Sequence, residues 1–124
     1  MTLAAATTLV FRAMQLTVGT TTATSIQNNT IQNIALTTTS TSTAQSGISM
    51  VTGKFNCGTT TGNTVGSGTG TGSITFSGSG TGAIFSAILA GTGTGDIINI
   101  QNNTVGSISV SGTGTTSVRG IGFQ

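Results

Sequence analysis

An internal repeat constrains this chain more than any other feature. Ile26-Gln27-Asn28-Asn29-Thr30-Ile31, followed by Ile34, returns as Ile100-Gln101-Asn102-Asn103-Thr104-Val105, followed by Ile108. A degenerate copy, Gly62-Asn63-Thr64-Val65-Gly66-Ser67, lies between them. Asn29, Asn63 and Asn103 therefore occupy one equivalent position, spaced 34 and then 40 residues apart. A second series runs Ile34-Ala35-Leu36, Ile74-Thr75-Phe76, Ile108-Ser109-Val110, with an insert at residues 68–73 in the middle copy. A third runs Met14-Gln15-Leu16, Ile48-Ser49-Met50, Ile88-Leu89-Ala90, Ile121-Gly122-Phe123, preceded by the small residues Ala13, Gly47, Ala87 and Gly120. One such unit cannot bury its own apolar face. Stacked copies can, and they share a continuous core.

Each repeat holds three short apolar pieces. In the last copy they are Ile98-Asn99-Ile100, residues 105–110 and residues 118–123. Alternation at period two marks β-strands with one buried face. The Gly/Ser/Thr runs between them, such as residues 91–95 and 111–117, read as turns. Three strands per repeat predict a three-sided coil, whereas a propeller blade requires four strands and an aromatic signature. The expected fold is all-β: a parallel β-helix (β-solenoid) of about three stacked coils, with residues 1–124 as one repeat domain. The expected inward set is Met14, Leu16, Ile26, Ile31, Ile34, Leu36, Ile48, Met50, Cys57, Val65, Ile74, Phe76, Ile88, Ile100, Val105, Ile108, Val110, Ile121 and Phe123. The positions between them, including Gln15, Ser49, Leu89 and Gly122, are expected to face outward.

The recurring asparagine has a physical reason. Its amide can hydrogen-bond nearby backbone, and Asn tolerates left-handed φ/ψ at a turn. Stacked from coil to coil, Asn29, Asn63 and Asn103 are expected to form an internal structural ladder that satisfies buried turn groups. The competing reading is glycan attachment, because Asn28-Asn29-Thr30 and Asn102-Asn103-Thr104 fit N-x-[ST]. Asn33 has no Asn counterpart, since Ser73 and Ser107 stand there, and is expected to be an exposed strand residue.

Composition removes most chemistry. Only 3% of residues are charged, against about 25% in ordinary domains. The charged side chains are Arg12, Lys54, Arg119 and Asp96, and there is no His. Three scattered cations make no nucleic-acid surface, which needs several Lys or Arg acting together. Glycoside hydrolysis generally uses two carboxylates, and Asp96 is the sole acidic side chain. It is expected to serve a turn. Triads built on His are impossible. Cys57 excludes an internal disulfide and reads as a small core residue. Calcium-binding repeats need an Asp in every turn, and the Gly runs lack a P-loop Lys, so no metal or cofactor is expected. Arg12 and Arg119 match across repeats and are expected to be solvated. No window approaches a membrane span. The segment before Leu16 has no basic residue ahead of its apolar run, and Phe11-Arg12-Ala13-Met14 matches Val118-Arg119-Gly120-Ile121, so it reads as part of a coil rather than a leader. Gly/Ser/Thr-rich chains are often flexible linkers, but a linker has no reason to carry ordered apolar series. An enzyme is not expected.

IQNNTVGSISVSGT followed by a GIxF piece resembles the repeats of large secreted surface proteins of the Bacteroidota. That resemblance runs from about Phe11 to Phe123. It implies a right-handed parallel β-helix and an adhesin-like or surface-layer role. It also implies extracellular or cell-surface localisation, with export by the type IX route through a separate C-terminal sorting domain. The family pattern carries no catalytic residue. No sorting domain is visible, so the chain is expected to be a fragment of a longer array. Its partners would be neighbouring repeats or end-to-end copies, together with a surface glycan or host ligand. Two other readings stand beside the structural one. Thr-rich solenoids can present flat hydroxyl arrays to ice, although a regular Thr-x-Thr row is missing here. A carbohydrate-binding β-helix is the other, although Trp and Tyr platforms are absent.

Overall fold

Apolar residues at every second position, punctuated by Gly and Asn, produce short strands that pair with their equivalents in the next copy. The computed structural model describes residues 2–5, 10–39 and 45–124. Among them are fourteen strands and no helix. β1 (Thr2–Ala5), β2 (Arg12–Thr17), β3 (Thr24–Ile26) and β4 (Thr30–Ile31) trace one coil. β5 (Ile34–Thr38), β6 (Gln45–Thr52), β7 (Lys54–Cys57) and β8 (Thr64–Gly66) trace the second. β9 (Ile74–Gly78), β10 (Ile84–Ala90), β11 (Ile97–Ile100) and β12 (Thr104–Gly106) trace the third. β13 (Ile108–Gly112) and β14 (Ser117–Phe123) begin another.

All pairings are parallel and join successive coils. Sheet 1 is β1-β5-β9-β13, sheet 2 is β2-β6-β10-β14, sheet 3 is β3-β7-β11 and sheet 4 is β4-β8-β12. This is a parallel β-solenoid of about three coils. The apolar series lie in register. Ile34, Ile74 and Ile108 align, as do Met14, Ile48, Ile88 and Ile121, and Cys57 lies between Ile26 and Ile100.

The coil has four strands, not the three expected. The apolar piece at residues 105–110 breaks between β12 and β13 because Ser107 takes a left-handed φ of 53°. Asn33 does the same two coils earlier along the chain, at 58°, between β4 and β5. It is thus a corner residue rather than a strand residue. Asn tolerates this conformation because its short polar side chain can bond locally.

The interior holds most of the expected set: Ile26, Ile34, Leu36, Ile48, Met50, Cys57, Val65, Ile74, Phe76 and Ile88 are buried. Four members are exposed instead: Val105, Val110, Ile121 (47%) and Phe123 (68%). Lumen residues are covered by coils on both sides, and these four have a coil on one side only. Phe55 and Phe85 join the core unpredicted, Phe85 with its ring 5.9 Å from that of Phe76.

Sheet 2 has a regular irregularity. Its pairing skips Ala13, Gly47, Ala87 and Gly120 in all four strands. A Cβ at Gly47 would meet Val65 Cγ1 at 2.8 Å, so this position faces the lumen beside Ile48. Two consecutive inward positions interrupt the alternation of the strand, and the first must be small. Ser49 and Leu89, expected to face outward, are buried, as are Gly122, Ser46 and Ser86. Among the described residues the Ser46, Ser49 and Ser86 hydroxyls have no hydrogen-bond partner.

Candidate functional site

Polar side chains concentrate at the corner between sheets 3 and 4. The chain leaves β3, β7 or β11, passes a corner residue and enters β4, β8 or β12. Asn28 and Asn102 make that turn with φ of 54°. The next residue, Asn29, Asn63 or Asn103, points its amide along the solenoid axis. Asn29 N and Nδ2 both donate to Asn63 Oδ1, at 3.0 and 2.8 Å. Asn63 N and Nδ2 both donate to Asn103 Oδ1, at 2.9 and 2.8 Å. The remaining amide protons reach main-chain carbonyls: Asn29 Nδ2 to Gln27 O (2.9 Å), Asn63 Nδ2 to Ile26 O (2.9 Å) and Asn103 Nδ2 to Cys57 O (3.0 Å). The three residues thus form one hydrogen-bonded column. Asn63, in the middle, is 1% exposed.

Cys57 sits inside the same corner, fully buried and free. Its Sγ lies 3.6 Å from Asn63 Nδ2. Burial pushes the thiol above its ordinary pKa, and the contacts with Asn103 and Asn63 only partly oppose this. A protonated, enclosed thiol is no nucleophile.

Gln27 was not singled out in the sequence, yet it anchors this corner. The middle coil is longer here, because Gly58, Thr59, Thr60 and Thr61 intervene between Cys57 and Gly62. Gln27 Oε1 accepts from Thr60 N (3.1 Å) and Thr61 N (3.0 Å), and Nε2 donates to Asn56 O (2.8 Å). The signal available was Gln27 itself, repeated at Gln101 within IQNNT. It could not be weighed because the longer corner occurs in only one coil.

Asp96 lies far from this column, in the loop before β11. Its Oδ1 accepts from Gly53 N (2.6 Å) and Thr52 Oγ1 (3.0 Å), and its Oδ2 accepts from Gly93 N (2.8 Å). The Gly53 N–H above all holds its carboxyl below the usual range, with Thr52 and Gly93 adding to it. Both carboxylate oxygens are engaged by the scaffold, and the sequence offers no second acid. Arg12 and Arg119 share one column of sheet 2 with Ser46 and Ser86 between them. Arg119 is exposed, while Arg12 is half-buried and donates to Gln15 Oε1 at 2.7 Å.

The outer face of sheet 1 carries a second polar arrangement. Thr37, Ser77 and Ser111 align, as do Ala35, Thr75 and Ser109. These columns stand about 4.8 Å apart between strands and about 6.7 Å along them. No protein-family model matches the chain, and no curated protein and no solved structure is significantly similar to it.

Proposed function

We propose that the chain is a non-enzymatic structural module of a secreted repeat protein, displayed at the cell surface in an adhesin-like role. The observation that carries this reading is the Asn29–Asn63–Asn103 column. We read it as an asparagine ladder: the most elaborate polar group of the molecule is turned inward and consumed in holding coil to coil. Asp96 and Gln27 are likewise engaged by loops of the neighbouring coil. A scaffold built this way transmits length and rigidity, and presents loops and outer faces to a surface glycan or a host ligand. The similarity of IQNNTVGSISVSGT to secreted Bacteroidota-type surface repeats supports the same reading. The test is antibody labelling of the cells that make the protein. Signal on intact cells supports display. Signal only after permeabilisation overturns it.

A second reading is favoured by the hydroxyl columns of sheet 1. Thr37, Thr75, Ser109 and Ser111 are exposed in a charge-free grid suited to ordering water, which is the requirement of an ice-binding face. A thermal-hysteresis measurement decides it: arrested crystal growth supports this reading, and ordinary growth removes it.

A further inference from the structure

The asparagine column does not use up the two Asn-x-Thr tripeptides. In Asn28-Asn29-Thr30 and Asn102-Asn103-Thr104 the column takes the middle residue. The residue that carries a sugar in this motif is the first. Column and glycan attachment are therefore compatible, because they fall on different side chains. In a chain this rich in Ser and Thr the tripeptide alone carries little, and its placement carries the argument.

Of the eight asparagines, only Asn28 and Asn102 have Ser or Thr two residues on. Both stand at the corner before sheet 4, left-handed and exposed. The Asn28 amide has no hydrogen-bond partner among the described residues. Asn102 Nδ2 makes one long bond, 3.3 Å to Gly58 O. A primary amide has two N–H donors. An N-linked sugar replaces one of them, so Asn102 keeps its bond to Gly58 after attachment. Thr30 and Thr104 are exposed on the outer face of sheet 4.

The column is closed to the same chemistry. Asn29 Nδ2 gives its protons to Asn63 Oδ1 and Gln27 O, and Asn63 Nδ2 to Asn103 Oδ1 and Ile26 O. A sugar on either would break the stack. The middle coil offers no third site. Gly62 stands where Asn28 and Asn102 do, and a Cβ there would run into the Asn102 carbonyl oxygen.

We propose that Asn28 and Asn102 are attachment sites for N-linked glycans. The donor is an oligosaccharide carried on a lipid pyrophosphate. Its C1 breaks from the pyrophosphate, which leaves as the lipid-bound anion, and bonds to Asn Nδ2, which gives up one proton to the transferase. The two glycans rise from one edge of the solenoid two coils apart, about 10 Å. The inference rests on the reading of the chain as secreted, since this transfer takes place on the far side of the membrane from the ribosome.

The test is mass spectrometry of the protein recovered from the cells that make it. Trypsin cuts after Arg12, Lys54 and Arg119, which separates the sites into peptides 13–54 and 55–119. Glycan mass is expected on both, located by electron-transfer fragmentation at Asn28 and Asn102 and at no other Asn. Thr30→Val and Thr104→Val, at exposed strand positions that suit Val, should each leave the circular dichroism spectrum unchanged and remove the glycan from one peptide only. A bare mass for either peptide overturns the site it carries. So does a glycan on a column asparagine, or one that survives the Val substitution. Bare peptides from protein that antibody detects on intact cells overturn the glycan sites and leave surface display standing.

Discussion

Asn63→Ala removes the central member of the asparagine column. The Asn63 amide makes four hydrogen bonds: Oδ1 accepts from Asn29 N and Asn29 Nδ2, and Nδ2 donates to Ile26 O and Asn103 Oδ1. Truncation leaves Asn29 N without a partner at a part-buried corner, while Ile26 O keeps Gly58 N. One stranded donor costs about 1–3 kcal/mol and the other three lost bonds add to it, so the expected loss is about 3 kcal/mol. Asn103→Ala strands Asn63 N at the more open end, while Cys57 O keeps Gln101 N, for about 1–2 kcal/mol. Asn29→Ala removes only donors, one to Asn63 Oδ1 and one to Gln27 O, and Asn63 Oδ1 keeps Asn29 N. Its cost should be about 1 kcal/mol. Urea denaturation of the three variants, read as midpoints at constant slope, measures the order directly. Asn63→Ala within experimental error of Asn29→Ala would refute the argument that coupling along the column stabilises the corner.

Three further outcomes follow from the same coordinates. Gly47→Ala places a Cβ 2.7 Å from the Ala87 carbonyl oxygen and 2.8 Å from Val65 Cγ1, and should cost about 1–3 kcal/mol by overpacking. Gly120→Ala, the same repeat position with nothing near it, should be neutral, and equal losses at both sites would remove the reading of this position as an inward one that must be small. Ser49→Ala removes a buried hydroxyl that has no partner among the described residues and should stabilise the fold by about 1 kcal/mol, read as a raised denaturation midpoint; a lowered midpoint would show that the hydroxyl is satisfied. Asp96 has a folded pKa below its ordinary value of 3.8, so its contribution is present above that pH and lost as pH falls through the folded value. Thermal midpoints of wild type should therefore exceed those of Asp96→Asn at pH 6 and converge with them in strong acid, with a flat profile between pH 5 and 8 since there is no His. A constant gap down to pH 2 would contradict this.

The register of the coils was legible because it depends on spacing alone. Ile34, Ile74 and Ile108 recur with matched neighbours, and matched neighbours stack. The column of Asn29, Asn63 and Asn103 was legible as an equivalence for the same reason, although its bond pattern was not. What escaped depends on backbone conformation. A left-handed Ser107 or Asn33 looks like any polar residue inside an apolar run, so one strand was read where two meet at a corner. The position of Gly47 and Ala87 was visible as a recurring small residue but not as one of two consecutive inward positions. Ser49 and Leu89 were read as facing outward from strict alternation, although both are buried. Phe55 and Phe85 were missed because one registry partner of each, Thr24 and Gln45, is polar and broke the apolar series, although the other, Ile98 and Val118, is apolar. The exposure of Ile121 and Phe123 follows from the step between sheets, which no local pattern encodes.

Equivalent residues of successive coils lie side by side in parallel register. Paired cysteines on the outer face of sheet 1 test it most directly. Thr75 and Ser109 are register partners on β9 and β13, so their Cα atoms lie about 4.8 Å apart, within disulfide range. Thr75 and Ser111 are one pleat out of register, about 8 Å apart and beyond it. Thr75→Cys/Ser109→Cys should therefore close an intramolecular disulfide under mild oxidation while Thr75→Cys/Ser111→Cys remains reduced. Closure of both pairs at equal rates, or of the second alone, would contradict the solenoid.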